Sequence, residues 1–299
     1  MIRPRQYKRH NLQYMISKRL PKFLYPLFLK LWFYRTSGKW LNLKSPKTFC
    51  EKIQWLKLND NIPLKTELTD KLSAKKYIEK VLPELKIAKV YKVFDSLDNL
   101  DFSDLPDSFV LKTNHACRTN MLIENKNTLT KKEINQIKKY FKNVFKLDYS
   151  FWAGFELQYL PIKPKLYAEE YLFHEKNMTI IEYEVYCFNG KPEFVRVLPT
   201  YMSEYGPFFN AFYFDREGKE VDLNIFFGNT RKTFAPNENT KKIFEYADKL
   251  SKDFKFVRVD FLEAKGELYF AEMTFTPYSG VINFKPEIYD YILGDKLKL

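Results

Sequence analysis

Two segments near the C-terminus, Phe256-Val257-Arg258-Val259-Asp260-Phe261-Leu262 and Leu268-Tyr269-Phe270-Ala271-Glu272-Met273-Thr274-Phe275, flank a short turn at Ala264-Lys265-Gly266. Strand-forming runs on either side of a glycine turn predict an antiparallel hairpin. Residues two apart on a strand share a face, so Arg258 and Asp260 point the same way. A turn centred on Lys265 puts Glu272 opposite Arg258 and diagonal to Asp260, with backbones roughly 7–8 Å apart, and Thr274 continues that face. In this register Phe256, Leu268 and Phe270 share the charged face, while Val257, Val259, Phe261, Ala271 and Met273 fill the other. Isolated charges on a strand are most often a solvated, salt-bridged face. A strand apolar on both sides buries its charges instead, and buried charges are paired or bind metal. Two carboxylates without His or Cys suit Mg²⁺ sharing phosphate oxygens rather than zinc. The expectation is nucleotide chemistry at Asp260 and Glu272.

The rest of the chain reads as mixed α and β. Residues 1–64 form a basic helical region, with a Pro46-containing turn before the amphipathic run Ile53, Trp55, Leu56 and Leu58. Short apolar runs at 87–94 and 109–113 predict strands, as does 166–172. Thr130-Lys131-Lys132-Glu133 is a capping box, and Ile134, Ile137, Tyr140, Phe141 and Val144 follow at helical spacing, which predicts a helix over 131–145. Asn189-Gly190 between two apolar runs predicts a second hairpin. Residues 200–238 are rich in turn formers and show little periodicity. A helix over 241–252 should bury Ile243, Phe244, Ala247 and Leu250.

A formal charge of +13 favours anionic partners. No aromatic nucleoprotein strand or Gly-x-x-Gly loop is present, so nucleic acid is not expected among them. Cys50, Cys117 and Cys187 are too scattered for a disulfide framework or zinc site, which fits a reducing cytoplasm. The apolar stretch Phe23 to Tyr34 is interrupted by Pro26 and Lys30 and is shorter than the roughly 20 residues that cross a bilayer. Lys18, Arg19, Lys22, Lys30 and Arg35 flank its Leu24, Leu27, Phe28, Leu31, Trp32 and Phe33. That leaves two readings, peripheral contact with the inner membrane face or a helix packed on the body.

Lys112 ends the apolar strand Phe109-Val110-Leu111-Lys112. Asp70-Lys71, Glu169-Glu170-Tyr171-Leu172, Arg258-Val259-Asp260 and Glu272-Met273-Thr274 complete an ordered set. With these motifs the chain resembles an ATP-grasp ligase, and specifically the TupA-like ATP-grasp family associated with teichuronopeptide and surface-polysaccharide biosynthesis. The resemblance runs from about residue 40 to the C-terminus. Its most specific segments are Ser45-Pro46-Lys47-Thr48-Phe49-Cys50-Glu51-Lys52-Ile53-Gln54-Trp55-Leu56-Lys57, Phe109 to Lys112, Phe256 to Asp260, and Phe275-Thr276-Pro277-Tyr278-Ser279-Gly280. It implies an α+β ATP-grasp fold whose lobes, residues 65–168 and 169–299, clasp ATP behind the basic extension of residues 1–64.

The resemblance also implies roles. Lys71 and Lys112 would neutralise ATP phosphates, Glu169, Glu170, Tyr171 and Leu172 would hold adenine through their backbone, and Glu182 would meet the ribose hydroxyls. Asp260 and Glu272, with Thr274 where relatives commonly have Asn, would hold Mg²⁺, and Arg258 would stabilise developing phosphoryl charge. His115, Arg118, Ser279 and Gly280 are further candidates for substrate contact, and His115 reads equally as a structural turn residue. The family chemistry is attack of a carboxylate on the γ-phosphate of ATP, then capture of the acyl phosphate by an amine. The implied carboxylate is a hexuronate, free or nucleotide-linked, and the implied amine an amino acid or amino alcohol. Several positions depart from the family pattern. His115-Ala116-Cys117-Arg118 stands where relatives have a His-Gly-Ser-Gly phosphate loop, Glu184 where they often have Lys, and Asn210 where an Arg is expected. Two other readings fit parts of the pattern: a glycosyltransferase with its metal on a sugar nucleotide, and a non-catalytic protein that binds anionic polysaccharide or membrane.

Overall fold

The computed structural model describes residues 12–172, 180–203, 206–209, 211–223 and 234–299. His10, His174 and Asn210 fall outside the described residues. Among the described residues five α-helices come first: α1 (Leu12–Ser17), α2 (Tyr25–Ser37), α3 (Phe49–Asn59), α4 (Pro63–Thr69) and α5 (Lys71–Val81). Strands β1 (Lys86–Ile87), β2 (Val90–Phe94), β3 (Phe109–Thr113) and β4 (Met121–Ile123) lead to α6 (Lys131–Phe145), α7 (Tyr149–Trp152) and β5 (Leu166–Glu169). Then come β6 (Ile180–Phe188), β7 (Lys191–Ser203), β8 (Gly206–Phe209), β9 (Phe212–Phe214), α8 (Glu238–Ser251), β10 (Phe256–Ala264), β11 (Glu267–Thr274) and α9 (Ile288–Lys296).

Local chemistry sets several boundaries. Thr130 accepts from the Glu133 amide while Glu133 accepts from Thr130 N–H, so α6 starts where the capping box predicts. Asn237 caps α8 in the same way and starts it three residues before the expected Lys241. Both hairpin turns, Asn189-Gly190 and Lys265-Gly266, hold two successive left-handed residues, with φ of 49° and 79° and of 55° and 74°. That is the twist a two-residue hairpin requires. The stretch 200–238, expected to be turn-rich, instead carries the end of β7 and all of β8 and β9. Apolar runs such as Phe212-Tyr213-Phe214 lack the alternation that marks a half-buried strand, which hid them.

Two sheets result. The larger runs β1-β11-β10-β6-β7-β8, with β9 also on β7, and the smaller runs β2-β5-β3-β4. One face of the large sheet is closed by α5 and α8. Ala74, Ile78, Ile243, Phe244, Ala247 and Leu250 pack there on Val185, Val195, Val257, Val259 and Phe261. The opposite face is apolar at one end, where Phe49 of α3 meets Phe256 edge-on with ring centroids 5.0 Å apart. Leu29, Phe33 and Ile53 join that cluster at 3% exposure or less. Residues of α2 and α3 therefore pack against this face of the large sheet. The segment 71–87 also belongs with the large sheet, since β1 pairs in parallel with β11. The small lobe proper is β2–β5 with α6, cored by Phe109, Leu111, Ile137, Phe141 and Leu166. Among the described residues no helix is long and apolar enough to cross a membrane.

Candidate functional site

Where helices stop covering the second face of the large sheet, charged side chains replace apolar ones. β10 contributes Arg258 and Asp260, β11 Glu272 and Thr274, β6 Glu182 and Glu184, and β7 Arg196, all on registered positions of one face. In front of that face lies a cavity of about 940 Å³. Lys71 and Arg118 line it from the side of α5 and the 115–118 loop, and Ser279 from the segment after β11.

The hairpin register differs from the expected one. Asp260 pairs directly with Glu272 and Arg258 with Thr274, while Phe261 pairs with Phe270. Ala271 is thus an extra residue, a β-bulge, and a bulge both bends its strand and switches the face of everything beyond it. Leu268 and Phe270 consequently leave the charged face and join Val259 and Phe261 in the apolar core. The same switch brings the two carboxylates face to face. The Thr274 hydroxyl lies 3.2 Å from Asp260 Oδ2 and 3.3 Å from Glu272 Oε1, so both carboxylates reach one common point.

A chain of alternating charges crosses the strands. Arg258 donates from Nε to Asp260 Oδ1 at 2.7 Å and from Nη2 to Oδ2 at 2.6 Å. Its Nη1 lies 2.8 Å from Glu184 Oε1, and Arg196 Nη1 donates to Glu184 Oε2 at 2.8 Å. Arg196 Nη1 is also 2.8 Å from the Tyr278 hydroxyl. Burial opposes the Arg258 charge, but Asp260 and Glu184 override it and hold the guanidinium protonated well above its ordinary range. Charge-assisted, bidentate pairs of this kind fix orientation as well as charge. Glu182, two residues along the face, has its carboxyl pushed up by burial and by its neighbours Glu184 and Glu272.

Lys71 Nζ lies 3.7 Å from Glu272 Oε2 and donates to the Ala116 carbonyl at 3.2 Å. It is the first residue of α5, placed there because Asp70 caps the helix by accepting from the Leu72 and Ser73 amides. Burial would raise the Glu272 carboxyl, yet Lys71, Arg258 and Lys112 together hold it below its usual value. Lys112 stands outside the cavity wall and pairs with Glu169 Oε1 at 2.5 Å, while Lys75 takes Glu169 Oε2 at 3.0 Å. Glu169 is buried, and the two lysines keep its carboxyl ionised against that burial. Glu170 exchanges bonds with Lys89, through its amide to the carbonyl at 2.9 Å and its carboxylate from the amide at 3.2 Å. Tyr171 is half-buried. Leu172 packs with Ala88, Ala264 and Tyr269 in a small apolar cluster where the chain crosses from the small sheet to the large one.

The loop at 115–118 keeps the shape that glycine favours without having glycine. Arg118 sits at φ 58°, in the left-handed region, where the resemblance implies the second glycine. Its backbone takes a conformation that glycine favours, and its side chain reaches the cavity. His115 does not reach it. The ring is 4% exposed, edge-on to Phe145 at 5.8 Å, and burial lowers its pKa to about 4, so it is a neutral packing residue. Cys117 is likewise no activated thiolate, because burial raises its thiol and it bonds the Tyr159 hydroxyl at 3.2 Å. Gly280 is structural. A side chain there would meet Gln54 Nε2 at 2.5 Å, and Gln54 bonds the Gly280 carbonyl at 2.8 Å.

Sequence reasoning missed Arg196, Lys75 and the shared role of Glu184. A signal existed for one of them, since Phe194-Val195-Arg196-Val197 repeats the apolar-Arg-apolar pattern of Val257-Arg258-Val259. Lys75 looked like any other lysine of a charged helix. Among the described residues no group of three or more His, Cys, Asp or Glu side chains is gathered around a metal position. Asp260 and Glu272 still fit Mg²⁺, which is commonly held by one or two carboxylates with substrate phosphates completing the shell.

The TupA-like ATP-grasp family pattern matches residues 51–298. The chain belongs to this family. The helices and the two sheets make an α+β fold, in agreement with the sequence reading and with the family. No curated protein matches the TupA-like chain. Solved structures similar to it include D-alanine–D-alanine ligase from Bacillus anthracis complexed with ATP, at 15% identity and TM-score 0.44, over 77% of this chain and 65% of that one. L-amino acid ligase from Bacillus licheniformis shows 15% identity and TM-score 0.46 over 83% of this chain and 55% of the other. N5-carboxyaminoimidazole synthase from Aspergillus clavatus shows 13% identity and TM-score 0.40 over 74% and 46%. The TupA-like chain therefore spans less than two thirds of the length of these structures.

Proposed function

We propose that the chain is an ATP-dependent carboxylate–amine ligase. Its substrates in this reading are a hexuronic acid of a capsule or O-antigen, free or nucleotide-linked, and an amino acid or amino alcohol. The observation that supports this most is the convergence of Arg118, Arg196, Arg258 and Lys71 on one cavity beside Glu272, with Asp260 directly across the ladder from it. The four cations offer contacts for two anionic reactants beside the four carboxylates of the same lining, Glu156, Glu182, Glu184 and Glu272, and the facing carboxylates Asp260 and Glu272 suit the cation that accompanies ATP.

In the overall reaction an oxygen of the substrate carboxylate displaces ADP from the γ-phosphorus. The amine nitrogen then displaces phosphate from the acyl carbon and loses a proton. Magnesium, held by Asp260 and Glu272 with Thr274 beside them, would neutralise phosphate charge. Lys71 supplies positive charge next to that position, and Lys112, steered by Glu169, supplies it from the small lobe. Arg258 is fixed by Asp260 and Glu184 and stabilises developing phosphoryl charge without reorganising. In this reading the 169–172 backbone holds the adenine, and Glu182, which lines the cavity, offers a carboxylate for the ribose hydroxyls. No protein nucleophile is needed. In this reading the chain works in the cytoplasm, where ATP is supplied.

The test is ³¹P NMR of the protein with magnesium, ATP and panels of uronic acids and amines, one carboxylate being labelled with ¹⁸O. A ligase releases ADP and phosphate only when both substrates are present, and one ¹⁸O passes from carboxylate to phosphate. Turnover of a sugar nucleotide without ATP would favour glycosyl transfer, and absence of both turnover and ATP binding would favour a binding protein.

A further inference from the structure

The positive charge of this chain is not spread over it. The first 50 residues contain twelve Lys and Arg and no Asp or Glu, so they carry +12 of the formal +13 and leave +1 for the remaining 249 residues. A compositional bias towards lysine would have raised the whole chain. The active-site cavity does not explain the concentration either, because its cations Lys71, Arg118, Arg196 and Arg258 lie elsewhere in the sequence.

The same region exposes large apolar side chains. Helix α2 is apolar on two sides. Tyr25, Leu29 and Phe33 are buried against the body, whereas Leu27 and Leu31 are 53% and 45% exposed, and Tyr34 is exposed with them. Residues 27, 31 and 34 follow i, i+4, i+7 spacing, so they form one outward stripe, and at 100° per residue Lys30 and Arg35 fall on its two flanks. Phe23, just before the helix, is 79% exposed, and Leu12 of the neighbouring α1 is 74% exposed. Lys18, Arg19 and Lys22 lie between them in sequence. An apolar stripe with basic flanks and no acidic residue is what an interfacial helix presents to acyl chains and anionic headgroups.

We propose that α1, α2 and the turn between them form a docking surface for an anionic lipid bilayer. Leu27, Leu31 and Phe23 enter the interface, and the basic side chains meet the headgroups. Charge selects this occupant. A second copy of the chain would set the same five cations, Lys18, Arg19, Lys22, Lys30 and Arg35, against the first five, and a nucleic acid or polysaccharide would use the cations but leave the apolar stripe in water. Docking also has a consequence for the cavity. Trp32, on the inward side of α2, lies on Gly154 and forms part of the cavity wall. The cavity would therefore stand about one helix diameter, roughly 10 Å, from the headgroups. The inference is independent of the ligase reading, because the surface is separate from the charged sheet face.

The test is flotation of the full chain with phosphatidylcholine vesicles and with vesicles rich in phosphatidylglycerol. Binding to the anionic vesicles only, weakened at high salt, is expected. The L27D/L31D double variant replaces two outward side chains and should keep the wild-type melting temperature and ATP affinity while losing roughly tenfold or more in vesicle binding. Three results would each overturn the proposal: no flotation with anionic vesicles, equal flotation of the double variant, or equal flotation with neutral vesicles. Capture on a soluble polyanion that the double variant retains in full, without flotation on vesicles, would assign the surface to a polyanion instead.

Discussion

Replacing Glu184 with Gln tests whether the alternating charges of the sheet face are a frame as well as a site. The side chains of Arg258, Glu184 and Arg196 are 9%, 4% and 9% exposed, and each guanidinium lies 2.8 Å from a different Glu184 oxygen. Glutamine keeps the volume and one acceptor, but turns an –NH₂ donor towards the second guanidinium. Two buried arginines then lose their shared counter-charge. Removing one partner of a buried pair costs about 3–5 kcal/mol. Arg258 still has Asp260, so the lower end applies, about 3 kcal/mol. For a chain of this size that lowers Tm by about 6 °C. Glu184→Lys, which puts a third cation between the two, should cost more. Glu182→Gln is the control, because it lies on the same face and burial already raises its carboxyl; it should move Tm little. Differential scanning calorimetry at neutral pH reads all three. A Glu184→Gln protein melting within about 1 °C of wild type would refute the reasoning.

Glu272→Gln should abolish ATP turnover with little loss of stability, since its side chain is 37% exposed. Asp260→Asn should abolish turnover and also lower Tm, because it weakens the bidentate hold on Arg258; steady-state ADP release with parallel melting curves separates the two effects. Gly154→Ala should destabilise by about 2 kcal/mol or more, because φ is +78° and the new methyl would lie 2.4 Å from Trp32, and urea denaturation would show this. His115 titrates near pH 4 rather than 6.5, so below 6.5 the unfolded chain binds the proton that the folded chain refuses. Its contribution is present above pH 6.5 and lost as pH falls towards 4, about 3 kcal/mol in all. The stability gap between wild type and His115→Asn should therefore shift in favour of the variant over that window, and a pH-independent gap would contradict this.

What was legible in the sequence had a local cause. The capping box at Thr130, the two glycine hairpin turns and the inward row of α8 are each written in a few neighbouring residues. The acidic pair of the C-terminal hairpin stood out because charges are rare between Val257, Val259 and Met273. The Ala271 bulge was not legible, since inserting one residue leaves the alternation on each side intact, and only pairing with β10 reveals the slip. That slip sets the site, because it places Asp260 against Glu272 rather than diagonal to it. Arg196 and Lys75 act through partners on other strands or lobes, Glu184 and Glu169, and such long-range pairing has no local signature. For His115 the sequence leaves a phosphate or substrate contact and a structural turn equally open, and its burial against Phe145 supports the second.

The central claim is that the facing carboxylates Asp260 and Glu272 hold the cation that accompanies ATP. Calorimetric titration of ATP into wild-type and Glu272→Gln protein, each with and without Mg²⁺, tests it most directly. We expect magnesium to tighten ATP binding by about tenfold or more in the wild type and to have little effect in the variant. ATP binding that magnesium strengthens equally in both proteins would contradict the account.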